Sequence, residues 1–251
     1  MKKYYRRAVF HTILKGEDQY MQKRIILIGL FFTFALMPLL AGDVANFINL
    51  GFSEDSSVFM FGQYGVENGE EHPYAEIFTV HVPENDFIPQ GVLKETFSHE
   101  IEAGQDGLGA LLNLLHDAEP LVQKYNIDHL SSGRIVYIHL DGDKPKDRIE
   151  FRDFMRGDSY VLTLIQQRFG NEPDVSASFH INLAVTTKES ATRTYTLGLP
   201  DYKRQEVMSY RIKAVYFSPA ESGLVVIVEK EMWSEEGRNI RFMVETVPLG
   251  K

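Results

Sequence analysis

The sequence predicts a mainly β fold (β-rich α+β): antiparallel sheets, two similar hairpin units near the ends of the body, and a helical insertion around residues 106–126. Three observations predict it. Apolar and polar residues alternate, or apolar residues run on in short blocks, between breaks rich in Gly, Asn, Asp and Pro, as strands do. The phrase GFSEDSSVFMFGQYG at 51–65 returns as YFSPAESGLVVIVEK at 216–230, each an aromatic, a Ser, a short acidic turn and an apolar strand. Between them, DGLGALLNLLHDAEPLVQKY at 106–125 places Leu108, Leu111, Leu112, Leu115, Val122 and Tyr125 at helical spacing.

The first forty residues have a different texture. Residues 1–24 carry Lys2, Lys3, Arg6, Arg7, Lys15, Lys23 and Arg24, and residues 25–42, IILIGLFFTFALMPLLAG, carry no charge. A basic stretch, an apolar core and a small-residue end are the pattern of a secretory signal peptide. We therefore expect residues 1–42 to be a basic segment and signal peptide, cut near Ala41–Gly42, and residues 43–251 to be a single secreted β-rich domain. If uncut, the same apolar run would be an N-terminal membrane anchor, and Met21 offers a second start that gives a signal of ordinary length. The chain has no cysteine, so the exported body must hold by packing alone even where disulfides are permitted. Residues 1–42 take seven Lys/Arg and two Asp/Glu, leaving 19 against 33 and a net charge of −14 on the body. Such an acidic body repels phosphate backbones and anionic lipid, so no nucleic-acid partner is expected, and membrane contact is expected through the N-terminal segment alone.

Along the body, VANFINLGF, VFMFGQY and YAEIFTVHV read as strands, and IKAVYF, LVVIVEKEMW and IRFMVETV repeat the plan near the other end. The two units are expected to be neighbours in one antiparallel assembly, so that the ends of the body meet. The helical stretch is expected to stop near Asp117 and restart with Pro120 in the first turn of a second short helix, where its missing N–H costs nothing. RIVYIHL and RIEFRDFM are expected to be strands on either side of a solvated hairpin turn, DGDKPKD. SYVLTLIQQRF reads as strand at first and is ambiguous at its end. SASFHINLAVTT and TRTYTLGL read as a further hairpin turning at KESA.

Signals of chemistry are weak. There is no Gly-x-Ser-x-Gly elbow and no phosphate-cradling loop, and GQDGLG at 104–109 has its glycines misplaced and an Asp where phosphate would approach. SHEIEA offers His99 and Glu100 but Ala103 in place of a second histidine. His81, His139 and His180 alternate with apolar strand residues, and a zinc site would require them to meet in space. DGDKPKD lacks the spacing and terminal Glu of a calcium loop. No catalytic residue, metal or cofactor is expected from these patterns. The one unusual segment is YTLGLPDYKRQEVMSYRI at 195–212, which gathers Tyr202, Lys203, Arg204, Tyr210 and Arg211 in an acidic protein. Aromatic and Arg residues together are what binding hot spots favour, and Gly198 and Pro200 read as a loop. These five residues are the candidate partner-binding surface.

AGDVANFINLGFSEDSSVFMFGQYG, YAEIFTV, IEFRDF, RIKAVYFSPAESGLVVIVEK and FMVETV together resemble the predicted secreted proteins of unknown function known mainly from spirochaetes. The hairpin phrases are also faintly similar to the blade repeats of TolB-type β-propellers, although FSED and FSPA lack the full Ser-Pro-Asp-Gly and two good copies fall short of a closed ring. The first resemblance implies export and a shared fold, and no activity or site residue comes with it. The expected function is that of an exported envelope or periplasmic binding protein that is not an enzyme, with another envelope protein as the partner. A periplasmic hydrolase without a recognisable motif and a membrane-anchored subunit of an envelope complex are the alternatives.

Overall fold

The computed structural model describes residues 42–67, 72–102 and 104–250. The expected signal segment and its cleavage point at Ala41 lie outside the described residues. Thirteen described strands form three antiparallel sheets. The first sheet is the meander β1 (Asn46–Ser53), β2 (Val58–Val66), β3 (Pro73–His81) and β4 (Asp86–Thr96), with the two-residue β5 (Ile127–Asp128) beside β1. The third is a second meander, β7 (Arg148–Arg152), β8 (Ser159–Phe169), β9 (Ser176–Thr186) and β10 (Thr192–Gln205). The central sheet is β11 (Val207–Phe217), β12 (Gly223–Ser234) and β13 (Gly237–Pro248), with β6 (Arg134–Ile138) on the free side of β11. The sheets are stacked as layers, with the central sheet covered on both faces.

The layering explains the two kinds of strand text. LVVIV in β12 does not alternate because both of its faces are buried: Leu224, Val226 and Val228 join the core with the third sheet, and Val225 and Ile227 join the core with the first. In β8, Tyr160, Leu162 and Leu164 are buried while Val161, Thr163 and Ile165 are not, so the outer face of the third sheet meets solvent. The first sheet is again covered twice. Its Phe59 and Phe61 face the central sheet, while Met60, Ala75 and Ile77 pack under α1 (Leu108–Asp117) through Ala110, Leu111 and Leu114. A short α2 (Glu119–Lys124) follows with Pro120 in its first turn, as the sequence indicates. Neither described helix is long and apolar enough to cross a membrane.

The repeated phrase forms two matching turns that pack on each other. Ser53 Oγ accepts a hydrogen bond from Val58 N at 2.9 Å, and Ser218 Oγ accepts one from Gly223 N at 3.0 Å. Ser56 and Glu221 take the same left-handed backbone at the same place in each turn, φ 61° and 53°. Ala220 N then donates to Ser56 Oγ at 3.0 Å. The two hairpin units are therefore neighbours, but in stacked layers and not in one sheet. The ends of the body do meet: Ile240 N donates to Asp43 O at 2.8 Å, Ala45 N donates to Ile240 O at 3.1 Å, and Arg241 pairs with Asp43 at 2.5 Å.

Two expectations are corrected. DGDKPKD is not a hairpin turn, because β6 pairs with β11 and β7 with β8, so the segment carries the chain from the central sheet to the third. The stretch around Gly198 and Pro200 is not a free loop. It lies within the long β10, whose pairing with β9 slips between Leu199 and Arg204.

Candidate functional site

That slip helps to build one of several clefts. Leu199 pairs with Phe179 and Arg204 with Ala177, so five steps along β10 face two along β9 and residues 200–203 arch outward. Gly198 begins the arch at φ +84°, and a Cβ there would lie 3.3 Å from both Glu245 Oε1 and Phe179 O; the position favours glycine on both counts. Under the arch, the β3–β4 turn (Glu84, Asn85, Asp86) and β13 close a cleft of about 380 Å³, with Arg204 and Glu245 inside. Leu199, Tyr202 and Phe87 are exposed beside it, at 58%, 56% and 43%.

Arg204 is held by aromatic faces. Its guanidinium carbon stands 5.3 Å from the Phe179 ring centre and 4.9 Å from that of Tyr202, an arrangement that fixes the plane of the cation. Its Nη1 is closed to solvent without a well-formed hydrogen bond, and the cation borders the Tyr210 hydroxyl as a donor. Glu245 is 5% exposed and receives Asn85 Nδ2 on Oε2 at 2.6 Å. Burial pushes its pKa above the ordinary glutamate value of 4.5, against the opposing pull of the Asn85 hydrogen bond, the nearby Arg204 charge and the Gly198 backbone. Arg204 and Glu245 sense each other's charge without forming an ion pair.

A carboxyl easier to protonate in the folded chain than in the unfolded one supports the fold where it is protonated. The contribution of Glu245 is thus complete below pH 4.5 and is lost as pH rises through its raised folded value. Glu245→Gln keeps the shape and removes the titration. Urea unfolding from pH 4 to 8 should show the variant without part of the wild-type loss of stability toward high pH; identical slopes would refute this. Asp43, also raised by burial, acts with the same sign in both proteins and cancels in the comparison.

The five sequence-predicted residues do not share one surface. Tyr202 and Arg204 meet at the cleft. Lys203 turns outward over the Phe169 ring at 3.9 Å. Tyr210 is 3% exposed, with its hydroxyl donating to Ala177 O at 3.1 Å. Arg211 pairs with Glu229 on the floor of a separate groove of about 420 Å³ beside Val44 and Ile138. His81 and His180 lie in the first and third sheets, and His139 follows β6 at the edge of the central one. Among the described residues no group of three His, Asp or Glu is placed to hold a metal. Glu245 and Asn85 were missed by sequence reasoning. Their signals are an acidic residue at an inward position of the apolar VETV and an Asn with left-handed backbone, φ 54°, in the β3–β4 turn.

Fold and site together define a three-layered antiparallel protein in which a small, charged and partly apolar cleft lies between sheets. A family model described as predicted secreted protein (DUF2259) matches residues 60–248, and the chain belongs to that family. No curated protein matches it.

Proposed function

We propose that this protein is an exported binding domain of the cell envelope that retains its ligand unchanged, with the Arg204–Glu245 cleft as its recognition site. The observation that carries the reading is Arg204 on the cleft wall, a cation oriented by two aromatic rings that forms no ion pair among the described residues. An oriented guanidinium without a counter-charge favours a ligand that brings an acceptor oxygen. Export is supported by the family description and by the basic-then-apolar pattern of residues 1–42. A periplasmic setting fits a body tied together from Asp43 onward, since a cut before Asp43 leaves its bonds to Tyr74, Asn239 and Arg241 intact.

A second reading, hydrolysis, has one observation in its favour: a buried carboxyl with a raised pKa, the kind of group that serves as a general acid. Native mass spectrometry of the protein recovered from its own envelope fraction separates the two. The expected result is a small molecule held at one per chain, unchanged on incubation, and lost in Arg204→Ala. Conversion of the molecule would establish hydrolysis, and retention by Arg204→Ala would remove the cleft from the reading. The same spectrum should give a chain starting at residue 42 or 43; a mass that includes residues 25–42 would make the protein membrane-tethered.

A further inference from the structure

We infer that the cleft takes a small zwitterion, a free amino acid with an apolar side chain or a short apolar peptide carrying both an amine and a carboxylate. The inference rests on the binding reading above and gives it a ligand class. Three features of the lining select this chemistry. The first is Arg204, whose guanidinium lines the cleft, is held in a fixed plane by Phe179 and Tyr202 and forms no ion pair among the described residues, and therefore calls for an acceptor oxygen, best a carboxylate. The second is the opposite charge across the same cleft. Glu245 on β13 and Glu84 and Asp86 on the β3–β4 turn all line it, so a purely anionic ligand would meet three acidic residues and one cation. Because Arg204 and Glu245 are not paired with each other, each is available to a separate end of a ligand that bridges them. The third is apolar surface: Leu199, Phe87 and Tyr202 are exposed at the cleft while Val80 and Met243 line its wall, which suits an aliphatic or aromatic side chain.

Size agrees with the chemistry. A volume of about 380 Å³ is near the lower end of the roughly 300–1,000 Å³ of small-molecule sites, so a folded macromolecule is not the occupant. In the bound arrangement the carboxylate lies against the open side of the Arg204 guanidinium, the ammonium faces Glu245 with Asn85 holding its side chain in place, and the ligand's side chain covers Leu199 and Phe87. A carboxylate on Arg204 alone would leave Glu245 without a paired cation, and an amine on Glu245 alone would leave Arg204 without a paired anion. Both charges of the ligand are needed to satisfy both residues.

The test is isothermal titration calorimetry of the intact chain at low salt with four probes: leucine, leucyl-leucine, N-acetyl-leucine, which lacks the ammonium, and leucinamide, which lacks the carboxylate. Leucine or its dipeptide should bind. Each blocked form should lose roughly tenfold or more, as expected when one charge-assisted hydrogen bond is removed. Arg204→Gln should erase the difference between leucine and leucinamide, and Glu245→Gln the difference between leucine and N-acetyl-leucine. Circular dichroism checks that both variants are folded, and the four-probe comparison on the wild-type chain decides the matter even if one is not. N-acetyl-leucine binding as tightly as leucine would make this a carboxylate site, and leucinamide doing so would make it an amine site; either overturns the inference. Silence from all four probes overturns it too. An Arg204-dependent native ligand would then leave the binding reading standing with another ligand class, while its absence would take the binding reading down as well.

Discussion

Arg134→Ala should destabilise the protein by about 3–5 kcal/mol, toward the lower figure because the arginine side chain is 36% exposed and water partly replaces what it loses. Arg134 opens β6 and joins the turns of two sheets. Its Nη1 and Nη2 reach both oxygens of Asp153, at 3.3 and 3.1 Å, in the β7–β8 turn, while Nε and Nη2 reach Glu221 Oε1, at 3.1 and 2.6 Å, in the β11–β12 turn. The guanidinium also covers the Phe217 ring at 4.7 Å. Just before it, Ser131 O receives Phe52 N from the first sheet at 3.0 Å, so one short segment ties all three layers together. The Asp153 side chain is only 1% exposed; without Arg134 it becomes a buried carboxylate holding only part of its compensation, the Met155 N–H at 3.1 Å. Against a typical total of about 5–15 kcal/mol such a loss is severe. Urea unfolding measures it, with Arg148→Ala as the reference: its partner Glu150 is 60% exposed, and breaking that pair should cost about 1 kcal/mol or less. Asp153→Asn in the Arg134→Ala background should regain part of the loss by removing the stranded charge. Equal effects at Arg134 and Arg148 would show that the three turns hold together without this link.

The same junction shows where the sequence was legible and where it was not. The two Ser turns were readable because each keeps an aromatic, a Ser and a five-residue span to the next strand. A looser relative exists at the β7–β8 turn, where Asp153 N donates to Asp158 O at 2.9 Å as Ser218 N donates to Gly223 O at 2.9 Å. It went unread because Asp153 replaces the Ser and Arg152 the aromatic before it. Strand identity along the chain was legible from local alternation. Strand partners were not: β6 and β7 flank a turn-like segment, yet β6 takes its place beside β11 through contacts more than seventy residues away, such as His139 N to Lys213 O at 2.8 Å. The cleft divides in the same way. Arg204 and Tyr202 stood out by composition within one segment. Glu245 and its support Asn85 are 160 residues apart and meet only when the first sheet packs on the central one.

Tyr210→Ala should cost about 3–5 kcal/mol, the range for emptying a large aromatic from a core. Tyr210 was a recognition candidate by its type and neighbours, but it is a packing residue that supports recognition from behind. Its ring centre is 4.3 Å from that of Phe179. Gln166 clasps its backbone from the third sheet, accepting Tyr210 N at 2.8 Å and donating to Tyr210 O at 3.1 Å. Phe179 in turn carries the Arg204 guanidinium on its ring. The order of dependence therefore runs from Tyr210 to Phe179 to Arg204, and an alanine at 210 removes stability and recognition together. Tyr210→Phe separates them. It keeps the ring stack and loses the bond to Ala177 O, at a cost of about 1 kcal/mol or somewhat more for the carbonyl left behind. Urea unfolding and ligand binding measured on the same samples should then give three distinct outcomes: Tyr210→Ala weak in both, Tyr210→Phe slightly less stable with binding kept, and Arg204→Ala stable with binding lost. Loss of binding in Tyr210→Phe at near-native stability would instead place the hydroxyl itself in recognition, through the side of Tyr210 that Arg204 borders, where the nearby cation opposes the rise in its pKa that burial causes.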